Sequence, residues 1–515
     1  MKMYDVDPFM TDSTSPSSTT TITTINEHFN NLIYLHIDAP LEKQLRLQPI
    51  LQRCLNLQYF IGMSTENYDT TRDYRIDYSN ALVASEELLS WCPKLICFKS
   101  NGSYDHDISK NSILQSISTV NSNNGLKHLS LRENSRDNQM ISFLTSNSDT
   151  IEHLELMGSR FESNTYYPGW DSLFSSPTFR MAQLRTLVCE YIAFSSTSLV
   201  ALLNQAPTIH SLTLNRVEQL ILDRFSVKSL HVLPYLRCLH LEFITFRDAY
   251  ASALFFERFP ALEKLVARES ILTLKKMTDF SSLEKLKHLE LGNIEWQYDE
   301  DEDENHNTNP NSNDDNSIYS IVPSGLFASL ASIPSKRSCL ETIDLVGISG
   351  LTLKHLIVMA DIPTIKFLDV ELDDLLDEEN EEETLLFVTK LQVNTMIEKL
   401  TLRYIAYLPP YSIIEAISEL PYLKELYLES PAVSLPSAST VDELIDVSRI
   451  LPLISNNKLE KITLENAIGN RVRPRVAIND MISDHGLLWC SKPCFTRIND
   501  DGLYLEDIIL ERYCK

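Results

Sequence analysis

Glycine, basic charge and long apolar runs are all scarce in this sequence. Only 12 of its 515 residues are glycine, and neither GxxxxGK(S/T) nor GxGxxG occurs where it could bind a phosphate. The 45 Lys and Arg residues face 71 Asp and Glu residues, giving a net charge of −26, which argues against nucleic acid or an anionic membrane as the main ligand. No apolar run reaches the length of a membrane span, and the N-terminus lacks the apolar core of a secretory signal. We therefore expect a cytoplasmic or nuclear protein.

Cysteine is present but shows no paired spacing. The nine cysteines are scattered, which is typical of a reducing compartment. His485, Cys490 and Cys494 form one partial metal pattern, but a structural zinc site needs four ligands, so we expect no metal. The patterns GxSxG and HExxH are absent as well. The sequence therefore predicts a non-enzymatic protein without a cofactor.

One aliphatic spacing recurs along the chain. In LKHLSL (126–131) the aliphatic residues follow at steps of three and then two, which fits neither a helix face nor a plain alternating strand. Weaker copies begin at 32, 57, 95, 184 and 262, and LEDIIL (505–510) is a candidate last copy. Successive copies most often start 24 to 27 residues apart, within the period of leucine-rich repeats. The other clear copies are IEHLEL (151–156), IHSLTL (209–214), LRCLHL (236–241), LKHLEL (286–291), LETIDL (340–345), IKFLDV (365–370), IEKLTL (397–402), LKELYL (423–428) and LEKITL (459–464).

The segments between the copies carry helical patterns in the same phase. Leu199, Leu202, Leu203 and Ala206 lie on one face of a helix, as do the corresponding residues before the copy at 423. Prolines such as Pro207 stand two residues before a copy, where they end the helix and turn the chain into a strand. The sequence therefore predicts an α/β leucine-rich-repeat solenoid, a ribonuclease-inhibitor-like horseshoe with a parallel concave sheet and convex helices.

Two acidic segments and a polar tail interrupt this pattern. We expect residues 1–25 to be a disordered Ser/Thr-rich tail and 26–515 to be a solenoid of about 15–16 irregular repeats. The run DEDEDENHNTNPNSNDD (299–315) has no apolar period and predicts a disordered insertion at about 298–318. ELDDLLDEENEEE (371–383) predicts an acidic loop or an exposed helix. The first run is a solvated insertion or a docking segment for a basic partner. For the second the alternative is calcium binding, but it has no DxDxDG-like spacing with a closing Glu.

The concave face is the predicted working surface. In each copy the first, fourth and sixth residues point into the core, and the third, fifth and seventh point outward. These outward residues mix both charge signs with aromatic rings, which suits a protein or peptide ligand. The candidate binding residues are His128, Arg132, His153, Glu155, Lys264, Arg268, His288, Glu290, Phe367, Lys399, Arg403, Tyr427 and Glu429.

The stretches LLSWCPKLICF, LLNQAPTIHSLTL and AISELPYLKELYL resemble the repeat region of fungal F-box/leucine-rich-repeat proteins. The resemblance implies a substrate receptor, in which an F-box docks a Skp1-type adaptor and the repeats hold a substrate for ubiquitin transfer. No F-box is evident before the first copy at Leu32, and VPSGLFASL (322–330) is only faintly similar to its opening.

Two alternatives to the receptor stay open. One is a scaffold without a ligase partner. The other is a GTPase-regulating repeat protein in which an outward arginine, such as Arg132, Arg268 or Arg403, stabilises transition-state charge.

Overall fold

In a computed structural model of the chain, strands that coincide with the aliphatic copies dominate the fold. The chain divides into two compact units, residues 1–236 (unit 1) and 237–515 (unit 2). The structure describes residues 2–3, 31–38, 51–63, 92, 94–99, 125–132, 144–145, 147–157, 172–174, 176, 179–192, 195–217, 220–247, 249–273, 282–297, 327, 330–331, 338–348, 351–371, 381–403, 411–429, 450–469, 474–498 and 504–512.

In unit 1 the strands follow one another in parallel from β1 to β8, each pairing with the next. They are β1 (Lys2–Met3), β2 (Tyr34–Asp38), β3 (Tyr59–Met63), β4 (Cys97–Lys99), β5 (His128–Arg132), β6 (His153–Met157), β7 (Thr186–Glu190), β8 (Ser211–Asn215) and β9 (Ile221–Leu222), with helices α1 (Ser196–Gln205) and α2 (Arg224–Lys228).

In unit 2 the long strands again pair in parallel and in chain order up to β20. These strands are β10 (Cys238–Glu242), β12 (Lys264–Arg268), β14 (His288–Gly292), β16 (Thr342–Val346), β17 (Phe367–Glu371), β18 (Lys399–Arg403), β19 (Glu425–Glu429) and β20 (Lys461–Gly469). The remaining strands are β11 (Thr245–Phe246), β13 (Ile271–Thr273), β15 (Glu295–Gln297), β21 (Trp489–Ile498) and β22 (Tyr504–Arg512). The helices are α3 (Ala249–Glu257), α4 (Leu353–Met359), α5 (Glu381–Asn394), α6 (Tyr411–Ser418), α7 (Leu451–Ser455) and α8 (Pro474–Asp484).

Neighbouring strands pair so that equivalent positions of successive copies lie side by side, which confirms the predicted α/β leucine-rich-repeat fold. Leu289 on β14 lies opposite Ile343 on β16, and Leu291 lies opposite Leu345, so like positions of successive copies meet. All four side chains are buried, while the residues between them are partly exposed. The first aliphatic residue of each clear copy, such as Leu286, is also buried. Each repeat therefore covers the apolar edge of its neighbour.

The helices bury the predicted stripes. In α1 the buried residues include Leu199, Leu202 and Leu203, and Ser195 caps the helix by accepting a hydrogen bond from the Ser198 amide at 3.2 Å. In α6 the buried residues are Ile413, Ile414 and Ile417. Since the β-strands follow these helices after a proline turn, the predicted phase of helix, proline and strand is confirmed for these two repeats.

A left-handed residue ends several of the strands, a feature that the sequence analysis did not predict. In unit 2, Phe243, Glu269, Asn293 and Gly347 all have φ between 47° and 67°, each one residue after a strand. The amides of the first three donate to the last carbonyl of the next strand, at 2.9–3.1 Å. The turn redirects the chain into the short parallel strands β11, β13 and β15, which pair with one another.

The candidate last copy, LEDIIL, is not a parallel strand of the repeat. It lies in β22, which pairs antiparallel with β20 on one side and with β21 on the other. Its spacing of alternate aliphatic residues arises because Ile508 and Leu510 face the core of unit 2 from an ordinary antiparallel strand. Trp489 at the start of β21 is 5% exposed and donates from Nε1 to the Ile454 carbonyl at 2.8 Å. The hairpin and α8 therefore cover the last parallel strand.

Several predictions fall wholly or partly outside the described residues. The tail 1–25 is described only at 2–3, the acidic insertion at 298–318 is not described, and the second acidic segment is described at 371 and 381–383. Glu381, Glu382 and Glu383 form the first turn of α5, so that end of the segment is helical. Among the described residues, no helix combines the length and apolar character needed to cross a membrane.

Cys54 and Cys92 are core residues. Both side chains are fully buried, and burial raises the pKa of the Cys54 thiol to about 11 and that of Cys92 to about 12. Over the described ranges, no three His, Cys, Asp or Glu side chains converge to hold a metal ion. His485 instead has its Nδ1 3.0 Å from the Met481 carbonyl.

Candidate functional site

The candidate site is the outward side of the parallel strands of unit 2, which we call the strand face. Since parallel strands lie about 4.8 Å apart and in register, equivalent positions form rows that cross the strands. Each row is numbered by the position of its residues in the aliphatic copy, counted from the first aliphatic residue. Row three, from β10 to β20, contains Cys238, Lys264, His288, Thr342, Phe367, Lys399, Glu425 and Lys461. Row five contains His240, Val266, Glu290, Asp344, Asp369, Thr401, Tyr427 and Thr463, and row seven contains Glu242, Arg268, Gly292, Val346, Glu371, Arg403, Glu429 and Glu465.

Charge is divided unevenly among these rows. Row three has three lysines and a single carboxylate, Glu425. Rows five and seven together have two arginines and seven carboxylates, namely Glu290, Asp344, Asp369, Glu242, Glu371, Glu429 and Glu465. The strand face is therefore polarised across its width, with a basic edge where the strands begin and an acidic centre and far edge.

Arg403 on β18 links two neighbouring strands. Its Nε and Nη2 donate to the two carboxylate oxygens of Asp369 on β17 at 2.8 and 2.9 Å, and its Nη1 donates to Glu429 on β19 at 3.2 Å. The guanidinium carbon lies 5.5 Å from the centre of the Tyr427 ring. The bidentate contact with Asp369 and the attraction of Glu429 raise the pKa of Arg403 above its usual range. Arg403 is therefore an internal cross-link of the face.

Arg268, His288 and Glu290 form a second cluster two strands away. Arg268 on β12 makes an ion pair with Glu290 on β14, and His288 Nε2 lies 3.4 Å from the other oxygen of the same carboxylate. The hydrogen bond with His288 and the charge of Arg268 hold the pKa of Glu290 at about 2, against the opposing effect of burial. The row-three histidine and the row-five glutamate of β14 therefore lie in contact on the same strand. Both Arg268 and Arg403 are thus engaged by carboxylates.

Asp344 on β16 lies between these two clusters. Its nearest row-five neighbours are Glu290 and Asp369, one strand away on each side. Burial, followed by repulsion from Asp369 and Glu290, raises the pKa of Asp344 to about 6. Although Arg403 and Arg268 act in the opposite direction, neither guanidinium pairs with Asp344, which makes no ion pair with any described residue. Asp344 is therefore a half-buried carboxylate held among like charges.

The other predicted residues of unit 2 surround these clusters. Lys264 is exposed, Phe367 is 39% exposed, and Lys399 lies 3.9 Å from Glu425. Asp344 and Asp369 were not among the predicted binding residues. The fifth position of LETIDL and IKFLDV identifies both, because each copy places that residue on the outward side of its strand.

The predicted residues of unit 1 are less available. The rings of His128 and His153 are adjacent, with centres 5.7 Å apart. Glu155, expected to face a partner, is only 4% exposed, and Ser130 beside it is 1% exposed. Arg132 ends β5, and its side chain lies outside what the structure describes.

A row of alternating charges borders the strand face. The residue before each strand of unit 2 is, in order, Arg237, Glu263, Lys287, Glu341, Lys366, Glu398, Lys424 and Glu460. Glu263 contacts Lys287 at 2.8 Å and Arg237 at 3.8 Å, and Lys424 contacts Glu398 at 2.7 Å. We call this row the charge ladder. Because its signs alternate, its charges compensate one another within the row, unlike those of rows five and seven.

Comparison with known proteins adds little beyond the fold. No protein-family model matches the chain, and no curated protein does. Among solved structures, the functional domain of InlJ from Listeria monocytogenes aligns with 96% of this chain and 82% of its own, at 12% identity and a TM-score of 0.34. The leucine-rich-repeat ectodomain of the receptor kinase GASSHO1/SCHENGEN3 from Arabidopsis thaliana, in complex with CASPARIAN STRIP INTEGRITY FACTOR 2, aligns with 79% of this chain at 12% identity and a TM-score of 0.31. This chain spans about half of that ectodomain, 51%. These likenesses are too distant to bear on function.

Proposed function

We propose that this chain is a non-enzymatic recognition protein that binds another protein on the strand face of unit 2. The observation that carries the proposal is the uneven distribution of charge. The charge ladder and the Arg403 and Arg268 clusters pair their charges internally, whereas Asp344 has no described ion-pair partner. The same face exposes Phe367, an aromatic side chain of the kind that anchors protein interfaces.

Site-specific photocrosslinking tests this function. A photoreactive amino acid replaces Phe367 on the strand face or, as a matched control, Val393 on α5, which is 76% exposed. We expect a specific protein to be captured from Phe367 and not from Val393. Capture from Val393 alone would place recognition on the helices and contradict the proposal.

The resemblance to F-box/leucine-rich-repeat proteins extends the proposal to a substrate receptor of a Skp1/cullin-type ubiquitin ligase in the cytoplasm or nucleus. Phe327 and Leu330 within VPSGLFASL are buried, so an adaptor would have to contact other residues. Co-elution of the full-length chain with a purified Skp1-type adaptor tests this extension. If the two proteins elute separately, recognition without a ligase, the scaffold function, replaces it.

A further inference from the structure

The ligand of the strand face can be specified further from its charges, on the basis of the proposed function. We propose that the bound partner segment is an extended, lysine- and arginine-rich stretch of protein that crosses the strands along rows five and seven and presents one cationic side chain to Asp344.

Charge complementarity selects the sign of this segment. Rows five and seven carry seven carboxylates and two arginines, and both arginines are already held by Glu290, Asp369 and Glu429. A basic segment on these rows meets an excess of negative charge, while an acidic one would be repelled. The lysines of row three limit the cationic segment to the acidic part of the face.

Asp344 is the position at which a ligand cation gains most. A cation placed there would relieve the repulsion that Asp344 receives from Asp369 and Glu290 on the adjacent strands. The folded chain leaves this repulsion in place, although Arg403 and Arg268 lie only two strands away. Groups that are held in an unfavourable charge state are found preferentially at functional sites.

Access to Asp344 is compatible with a long cationic side chain. In row seven the strands that carry Glu290 and Asp344 have the short residues Gly292 and Val346. The Arg268 side chain lies over Gly292 and pairs with Glu290, whereas Val346 places no charged group beside Asp344. Phe367, on the next strand in row three, offers an apolar surface for the methylene stem of a lysine or arginine.

Binding through Asp344 should depend on pH. The titratable and charged groups around it are His288 and Glu290 on β14, Asp369 and Glu371 on β17, Arg268 on β12 and Arg403 on β18. As the pH falls through the pKa of Asp344, the carboxylate takes up a proton and loses its attraction for a cation. The loss of this charge weakens binding of a basic segment.

Binding of a defined peptide to the full-length chain tests the inference. The probe is a fluorescent 12-residue peptide of alternating lysine and serine, compared with a glutamate–serine peptide of the same length. We expect the lysine peptide to bind and Asp344→Asn to weaken it by about tenfold. Glu382→Gln on α5 is the matched control, because it removes one carboxylate on an exposed residue outside the strand face. The affinity of Glu382→Gln for the lysine peptide should stay within about twofold of the wild-type value, since an exposed charge outside the contact is screened.

Equal losses of peptide affinity in Asp344→Asn and Glu382→Gln would mean that the peptide responds only to net charge. An unchanged affinity in Asp344→Asn would show that Asp344 does not contact the peptide. Either result overturns the inference. Between pH 7.5 and 5.5 the wild type should lose affinity by a step that is absent from Asp344→Asn.

The photocrosslinking experiment separates the two proposals. One outcome is a partner crosslinked at position 367 in an amount that neither the lysine peptide nor Asp344→Asn reduces. That result leaves protein recognition standing and rejects the basic ligand. Capture only at Val393 rejects both.

Discussion

Asp344 illustrates at the scale of one residue how a surface group can oppose folding. Its pKa of about 6 lies above the ordinary value of about 3.9 for an aspartate. Between these two values the folded chain holds a proton that the unfolded chain has released, so the free energy of unfolding falls as the pH rises through this range. Above pH 6 the full cost of the buried negative charge is present.

Replacing Asp344 by Asn should therefore stabilise the protein at neutral pH. We expect the free energy of unfolding at pH 7.5 to rise by about 1–2 kcal/mol, after allowance for solvent screening, and to change little at pH 4. Chemical denaturation at both pH values measures the difference. Asp369→Asn is the contrasting variant, since it removes the bidentate partner of Arg403 and should lower stability at pH 7.5 by about 2 kcal/mol. Destabilisation by Asp344→Asn at pH 7.5 would contradict this account.

Gly347 shows a second constraint at the residue scale. It has φ of +67°, and a Cβ added there would lie 1.8 Å from Asn293 Oδ1, whose amide Nδ2 donates to Glu269 at 2.5 Å. Gly347→Ala should cost about 2–3 kcal/mol, because it adds the displacement of Asn293 to the strain of a left-handed alanine. Gly486→Ala is the matched control, with φ of +62° and no atom within 4 Å of the added Cβ.

The two variants can be compared by thermal or chemical unfolding. In an Asn293→Ala background the steric conflict disappears, so Gly347→Ala should then cost no more than Gly486→Ala. A difference that persists in that background would show that Asn293 is not the cause.

At the scale of one element, the charge ladder stabilises strand order through many weak pairs. Exposed ion pairs contribute little singly, about 0.2–1 kcal/mol, and their effect is screened by salt. Glu263→Lys places a positive charge between Arg237 and Lys287 and should lower the melting temperature by a few degrees at 20 mM salt and less at 500 mM. The double variant Glu263→Lys/Lys287→Glu, which restores one attractive pair, should recover part of the loss at low salt. If the melting temperature of Glu263→Lys fell equally at both salt concentrations, the loss would come from packing and not from charge.

The strands and helices were predictable from the sequence because their signals are local. Leu289 and Leu291 alternate with outward residues within five positions, and Leu199, Leu202 and Leu203 mark one helix face within a single turn and a half. The hairpin strand β22 was not separable from a repeat, since LEDIIL has the same alternation whether its partner strand is parallel or antiparallel. The left-handed turn falls on Phe243 and Glu269, which rarely adopt it, as well as on Asn293, which adopts it more readily, so composition gives no consistent signal for it.

The candidate site was predictable only as a surface. The spacing places Glu290, Arg403 and Glu429 on the outward side of their strands, but their pairing depends on side-chain contacts between strands. The position of Asp344 between two like charges requires the register of three strands. The spacing likewise gives no indication that Glu155, at an outward position, is buried.

At the scale of the whole molecule, net charge and local contacts should affect different rate constants. A chain with a net charge of −26 attracts a basic segment from a distance, which raises the association rate and makes it sensitive to salt. The contact with Asp344 forms only after docking, so its loss should act mainly on dissociation.

Surface plasmon resonance with the lysine–serine peptide can separate the two effects. Raising the salt from 50 to 300 mM should lower the association rate constant by about tenfold, because long-range attraction is screened over shorter distances at higher salt. Asp344→Asn should raise the dissociation rate constant by a similar factor and leave the salt dependence of association nearly unchanged, since it removes one of 71 acidic residues. If Asp344→Asn instead slowed association and left dissociation unaltered, Asp344 would contribute only to the general field, and the peptide would not occupy a specific place on the strand face.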